Sequence, residues 1–221
     1  MPASIDTSYA VVMMQAAKST YAHGYHAVRF YESERSLAQI VAEFLIEGFA
    51  DSHPGIVVAT PGMRAALVLE LTARSLDVVE LQRSGQFLLL DAKEQLGGFM
   101  TGGQPDPTRF NIAMCEAIEQ VCRGRAHCKV RIFGQMVDVL WREGQQDAAI
   151  HLEMLWNRLA HRQAFSLLCG YAMGNFYKDS NFDDICGQHS HVVSADGRAQ
   201  IVMSAAAKRQ ESGTANKPGV A

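Results

Sequence analysis

The sequence predicts a three-layer α/β sandwich with a mostly parallel central sheet. Short apolar runs, GIVVAT at Gly55–Thr60, QFLLLD at Gln86–Asp91, KVRIF at Lys129–Phe133 and FSLLCGY at Phe165–Tyr171, have the continuous aliphatic character of strands covered on both faces. Helical patterns of ten or more residues stand between them. That alternation implies right-handed β-α-β crossovers and helices on both faces of the sheet. An apolar fraction of 48% and a charged fraction of 19% over 221 residues fit a folded chain with a sizeable core.

Residues 1–22 read as an extension of small and polar residues, broken by Tyr9–Met14. The domain is expected over residues 23–193. His26–Tyr31, HAVRFY, is a short strand. Apolar residues at 37, 40, 41, 44, 45 and 49 then follow helical spacing, with a start at Ser33 or Ser36 and an exit at Gly48 and His53-Pro54-Gly55. Pro61-Gly62 ends the second strand, and Met63–Leu76 is a helix. Ala92–Met100 is a short helix, and Thr101–Pro107 reads as a loop. Asp106 offers an N-cap with Pro107 in the first turn, ahead of a stripe of Phe110, Met114, Ala117, Ile118 and Val121. Gly124 ends that helix. A turn-helix at Val137–Arg142 and a helix at Gln145–Arg162 follow the third buried run. A short helix is expected at Phe182–Cys186, and residues 194–221 form a tail, disordered from about residue 204 by its Ala, Lys, Ser and Gly content.

Several functions are disfavoured. Net charge is −3 with Lys and Arg scattered, so no basic face for nucleic acid is expected. No apolar run approaches the roughly 20 residues of a membrane helix, and no secretory leader is recognisable. Five cysteines without C-x-x-C pairs argue against a disulfide framework or zinc ribbon. Cys115 and Cys122, on one helix face, are expected to be core thiols in a reducing cytoplasm. The first candidate phosphate loop, TPGMRAAL, has one glycine and no G-K-[ST]. A serine-nucleophile elbow is absent as well. The expectation is a non-enzyme with no cofactor and no metal. His189-Ser190-His191 could bring two imidazoles together, with Cys186, Asp183 and Asp184 near in sequence, but the spacing matches no strong metal pattern.

Ligands of such sheets bind at the strand carboxyl ends, here Thr60, Asp91, Phe133–Gln135 and Tyr171. The binding candidates are His26, Tyr31, Asp91, Gln135, Trp141 and Asn157. Asp138 is expected to cap or pair locally, and Glu153 to face solvent.

HAVRFYESERSLAQIVAEFLIEGF, GIVVAT, QFLLLDA, the DPTRF helix start, VRIFGQMVDVLWREGQQDAAIHLEMLWNRL and FSLLCGYAMGNF together resemble the MEDS domain, the sensory domain of methanogen and methylotroph regulators of the dichloromethane-repressor type. The resemblance spans about Tyr25 to His191. It implies a RecA/KaiC-like fold without a P-loop, a cytoplasmic signal-input role, and a small, largely apolar, hydrocarbon-derived ligand. It also implies a signalling partner such as a histidine kinase or transcription regulator. Gln135 stands where the family is expected to carry Glu, and the family's His before the Phe-Tyr pair corresponds to His26. A protein-interaction adaptor without a metabolite, a residual nucleotide binder, and self-association remain the alternatives.

Overall fold

A computed structural model describes residues 25–175, 182–194 and 199–201. The expected N-terminal extension and most of the expected tail lie outside the described residues. Strands β1 (His26–Tyr31), β2 (Gly55–Ala59), β3 (Phe87–Asp91), β6 (Val130–Gly134), β7 (Phe165–Ala172), β8 (His191–Val193) and β9 (Ala199–Ile201) form a seven-stranded sheet of order β3-β2-β6-β7-β1-β8-β9. Every pairing is parallel except β8 with β9. The strand N-terminal in sequence is therefore interior, flanked by β7 and β8.

Helices α1 (Glu34–Ala50), α2 (Pro61–Ala73) and α3 (Val78–Arg83) cover one face. There Leu37, Val41, Leu45, Leu67 and Leu71 pack on Val57, Ala59, Phe133 and Leu168. Helices α4 (Ala92–Phe99), α5 (Pro107–Cys122), α6 (Met136–Arg142), α7 (Gln146–Ala160) and α8 (Phe182–Gln188) cover the other. Phe110, Leu140, Trp141, Leu152 and Trp156 meet Val28, Ile56, Ile132 and Leu167 on that side. The three-layer α/β sandwich is thus observed, with each strand's alternate side chains feeding opposite cores. A fully buried aliphatic or aromatic side chain contributes about 1.5–3 kcal/mol, so these two layers dominate the stability.

The helix starts follow local chemistry. Ser33, Thr60, Asp77, Asp91 and Asp106 each accept a backbone N–H of the first turn through a side-chain oxygen. Pro61 and Pro107 occupy first turns, where no N–H is needed. Gly48 lets α1 approach β6: a Cβ there would lie 2.5 Å from Arg131 Cγ. The buried Arg131 guanidinium sits over the Phe44 ring.

Four expectations change. The 101–107 loop contains a two-stranded hairpin, β4 (Met100–Thr101) with β5 (Gln104–Pro105), and α3 and β8 were not expected. Glycines 102 and 103, both at positive φ, make that tight turn. Cys122 is not a free thiol: it forms a disulfide with Cys128. Gly124 (φ 76°) and His127 (φ 51°) turn the chain back beneath the end of α5, a reversal that helical spacing alone does not reveal. Among the described residues Cys115, Cys169 and Cys186 are free. Finally, Glu153 is completely buried, at the edge of the core-facing arc of α7 that runs through Leu152, Trp156 and Ala149. No helix among the described residues is long and apolar enough to cross a membrane.

Candidate functional site

The carboxyl ends of β2 and β6 lie side by side while their connections depart in opposite directions, β2 toward β3 and β6 toward β7. Such a switch point opens a crevice in parallel sheets. Here the side chain of Gln135 fills it. Gln135 Oε1 accepts from Thr60 N and Thr60 Oγ1, both at 3.1 Å, and its Nε2 donates to Tyr31 OH at 3.0 Å. Tyr31 OH donates to Asp138 Oδ2 at 2.7 Å and accepts from Arg142 at 2.6 Å. Asp138 also accepts from Ala172 N at 2.9 Å and pairs with Arg142 at 2.9 Å. Gln135, Asp138 and Tyr31 are buried, whereas the Arg142 side chain is 42% exposed. Burial, helped by Asp138, pushes the Tyr31 phenol well above its ordinary value, so it remains a neutral donor.

Thr60, Gln135, Tyr31, Asp138 and Arg142 therefore tie the ends of β1, β2 and β6 to helix α6. Asp138 does pair locally, with Arg142, but it also spans to β1 and β7. Trp141, on the same helix, is buried edge-on to Tyr171, with ring centroids 5.8 Å apart. The Phe30 ring also lies beside Tyr171, with centroids 6.1 Å apart.

His26 and Asn157 belong to a different place. His26 opens β1, five residues before Tyr31, which is roughly 16 Å along a strand. Its Nδ1 lies 2.8 Å from Asn157 Oδ1, while Asn157 Nδ2 donates to Gln188 O at 2.9 Å. Its Nε2 faces Glu153 Oε2 at 3.1 Å and Cys169 Sγ at 3.4 Å. Glu153 also accepts from Tyr171 OH at 2.9 Å and stands 3.3 Å from His189 Nε2. Desolvation and the neighbouring His189 hold His26 below the usual imidazole value. Burial pushes the Glu153 carboxyl up, but the two imidazoles outweigh it and hold it below the carboxylate range. Burial and Glu153 push the Cys169 thiol and Tyr171 phenol well up.

Asp91 joins neither group. It caps α4 through Lys93 N and Glu94 N and pairs with Arg64 at 2.7 Å. Arg64, the one base in TPGMRAAL, is thereby engaged. The six binding candidates thus divide into Tyr31, Gln135 and Trp141 near the strand carboxyl ends, His26 with Asn157 of α7 at the start of β1, and Asp91 apart. Glu153 and Cys169 are not among the sequence candidates, and His189 is there only as a partner of His191. His189 meets His26, with ring centroids 4.2 Å apart, rather than making a shared site with His191.

The family model described as MEDS, MEthanogen/methylotroph, DcmR Sensory domain, matches residues 25–190. The chain belongs to the MEDS family. A sensory role follows for this MEDS domain at the level of the family. None of the curated proteins compared with the chain matches it. The matched span takes in both polar networks, and it ends one residue after His189.

Proposed function

We propose that this MEDS domain is a non-catalytic, cytoplasmic signal-input domain. A small, largely apolar, hydrocarbon-derived molecule binds against the Trp141–Tyr171–Phe30 wall at the strand carboxyl ends. The response is a shift of α6, read by a signalling protein such as a histidine kinase or a transcription regulator. The sheet in this reading is of the RecA/KaiC kind and no longer handles phosphate.

The observation that carries the reading is the side chain of Gln135 across the switch point. A phosphate cradle needs backbone N–H groups and a cation free to face the ligand. Here Thr60 N is already held by Gln135, and Arg64 by Asp91. What remains is a set of hydrogen bonds with two plausible arrangements, closed as seen or opened where the half-exposed Arg142 swings out. A ligand that prefers the open arrangement shifts the balance by its differential affinity.

Binding can be followed by the fluorescence of Trp141 in a Trp156→Phe background, titrating small hydrocarbon-derived compounds. Saturable quenching that Arg142→Ala alters in affinity supports the reading. Native mass spectrometry of freshly purified protein supplies a second arm. A ligand whose binding is indifferent to Trp141→Ala and Arg142→Ala sinks the proposal. Calorimetry with ATP and magnesium is expected to give no heat.

A further inference from the structure

The cluster beneath α7 has the composition and spacing of a metal site. His26 on β1, Glu153 on α7, Cys169 on β7 and His189 after α8 are all buried, and one donor atom from each lies within 4.8 Å of the others. Neighbouring donors are separated by 3.1 Å (His26 Nε2 to Glu153 Oε2), 3.4 Å (His26 Nε2 to Cys169 Sγ), 3.5 Å (Cys169 Sγ to Glu153 Oε2) and 3.3 Å (His189 Nε2 to Glu153 Oε1). Bonds of about 2.0–2.2 Å to nitrogen or oxygen and about 2.3 Å to sulfur put the ligands of a tetrahedral zinc ion about 3.3–3.7 Å apart. The widest separations, up to 4.8 Å, need to close by about 1.5 Å at most to meet that figure.

The tautomers are set for coordination. Asn157 Nδ2 donates to Gln188 O, so its Oδ1 is the acceptor facing His26, and His26 carries its proton on Nδ1. His189 Nδ1 likewise donates to Ile185 O at 2.7 Å. In the neutral form each imidazole turns its Nε2 lone pair inward, with its outer nitrogen bonded as metal-ligating histidines usually are. His189 Nε2 is buried and makes no hydrogen bond, since its approach to Glu153 is not aligned for one. Two such lone pairs facing a buried carboxylate repel unless a positive charge, a proton or a metal ion, stands among them.

We propose that His26, Glu153, Cys169 and His189 bind one divalent transition-metal ion of the zinc class. Two neutral imidazoles, one carboxylate, one thiolate and a doubly charged cation sum to zero, so the site would be neutral in the core. Binding moves the Cys169 thiol proton to solvent, forms a metal–sulfur bond, and changes no oxidation state. Nitrogen and sulfur donors select against magnesium and calcium. Four protein ligands leave no open position, which makes the ion structural rather than hydrolytic. It would pin the segment 182–194, carried by His189, to β1, β7 and α7. The proposal does not depend on the apolar ligand at the strand carboxyl ends.

The test uses the untagged full chain, unfolded with chelator and refolded with cobalt(II) or zinc(II). Elemental analysis after desalting is expected to find about one ion per chain. The cobalt form should show intense tetrahedral ligand-field bands and a thiolate-to-cobalt charge-transfer band. Cys169→Ser should abolish the charge-transfer band, and His189→Gln should weaken binding about 100-fold or more, beyond the 10- to 100-fold typical of an outer-shell change. Zinc should also raise the melting temperature of the wild-type chain relative to the chelator-refolded form, a readout that needs no variant. Refolded wild-type protein with native circular dichroism and no bound ion overturns the proposal. So does a charge-transfer band that survives in Cys169→Ser, which would place the ion on another cysteine.

Discussion

Tyr31→Phe removes one oxygen and tests whether the strand-end network is dry. That oxygen donates to Asp138 at 2.7 Å and accepts from Gln135 at 3.0 Å and Arg142 at 2.6 Å. The three losses are unequal. Gln135 is fully buried, so its Nε2 donor is left without a partner, costing about 1–3 kcal/mol. Asp138 retains Ala172 N and Arg142 but loses a hydrogen bond to a charged group, about 1.5–3 kcal/mol before its remaining partners readjust. Arg142 is 42% exposed, and water replaces what it loses at little cost. The net expectation is a destabilisation of about 2–4 kcal/mol. In urea, with a slope of about 2 kcal/mol per molar, the midpoint falls by about 1–2 M with the slope unchanged. A change below about 0.5 kcal/mol, the range of ordinary surface substitutions, would refute the claim that these groups depend on one another.

Asp91 is held below its ordinary value despite a desolvation that raises it, because Glu94 N, Lys93 N and Arg64 together outweigh that burial. A lowered native value means stability that is present above the unfolded value near 3.8 and lost as pH falls through the native one; Asp91→Asn is therefore expected to flatten the acid limb of a melting-temperature profile. Gly48→Ala drives a Cβ to 2.5 Å from Arg131 Cγ, an overpacking cost of about 1–3 kcal/mol set against the roughly 1 kcal/mol by which alanine favours a helix over glycine, so urea unfolding should show a net destabilisation of up to about 2 kcal/mol. Asn157→Ala leaves His26 Nδ1 and Gln188 O without their shared partner, so hydrogen exchange should quicken across 182–194 while β2 and β6 stay protected. Cys122→Ser opens a short loop and should cost about 2 kcal/mol by chain entropy, with reduction of the wild-type chain giving a matching loss.

Much of the fold was legible because strands buried on both faces are written as continuous apolar runs. GIVVA and FSLLCGYA announce themselves in this way, and Asp106-Pro107 marks a helix start on its own. The short pieces were not legible. Helix α3 has only six residues, and β8 only three, too few for a period to show. The site was read in part. Tyr31 and Gln135 meet, and Trp141 packs on Tyr171, at strand ends that the apolar runs themselves locate. Glu153 was misjudged from its charge. Its place at the edge of the apolar arc, about 40° past Ala149 on the helical wheel, was the available signal, and a carboxylate bordering an apolar arc is itself informative. The approach of Cys169 to His26 is a contact across 143 residues, and no local pattern encodes it.

The position of β1 has a kinetic consequence. Its neighbours are β7, near the far end of the matched span, and β8, just past it, with His26 facing Leu167 and Ala27 facing His191. On the ribosome the strand must wait, unpaired, while β2, β3 and β6 are synthesised. Contacts of such long sequence separation slow folding, and an apolar strand without neighbours invites association with other nascent chains in the interval. The domain therefore closes last around its earliest strand. A chain stopped before β7 would have neither partner for β1, and a quality-control protease would meet it as an open sheet rather than as a shortened sensor.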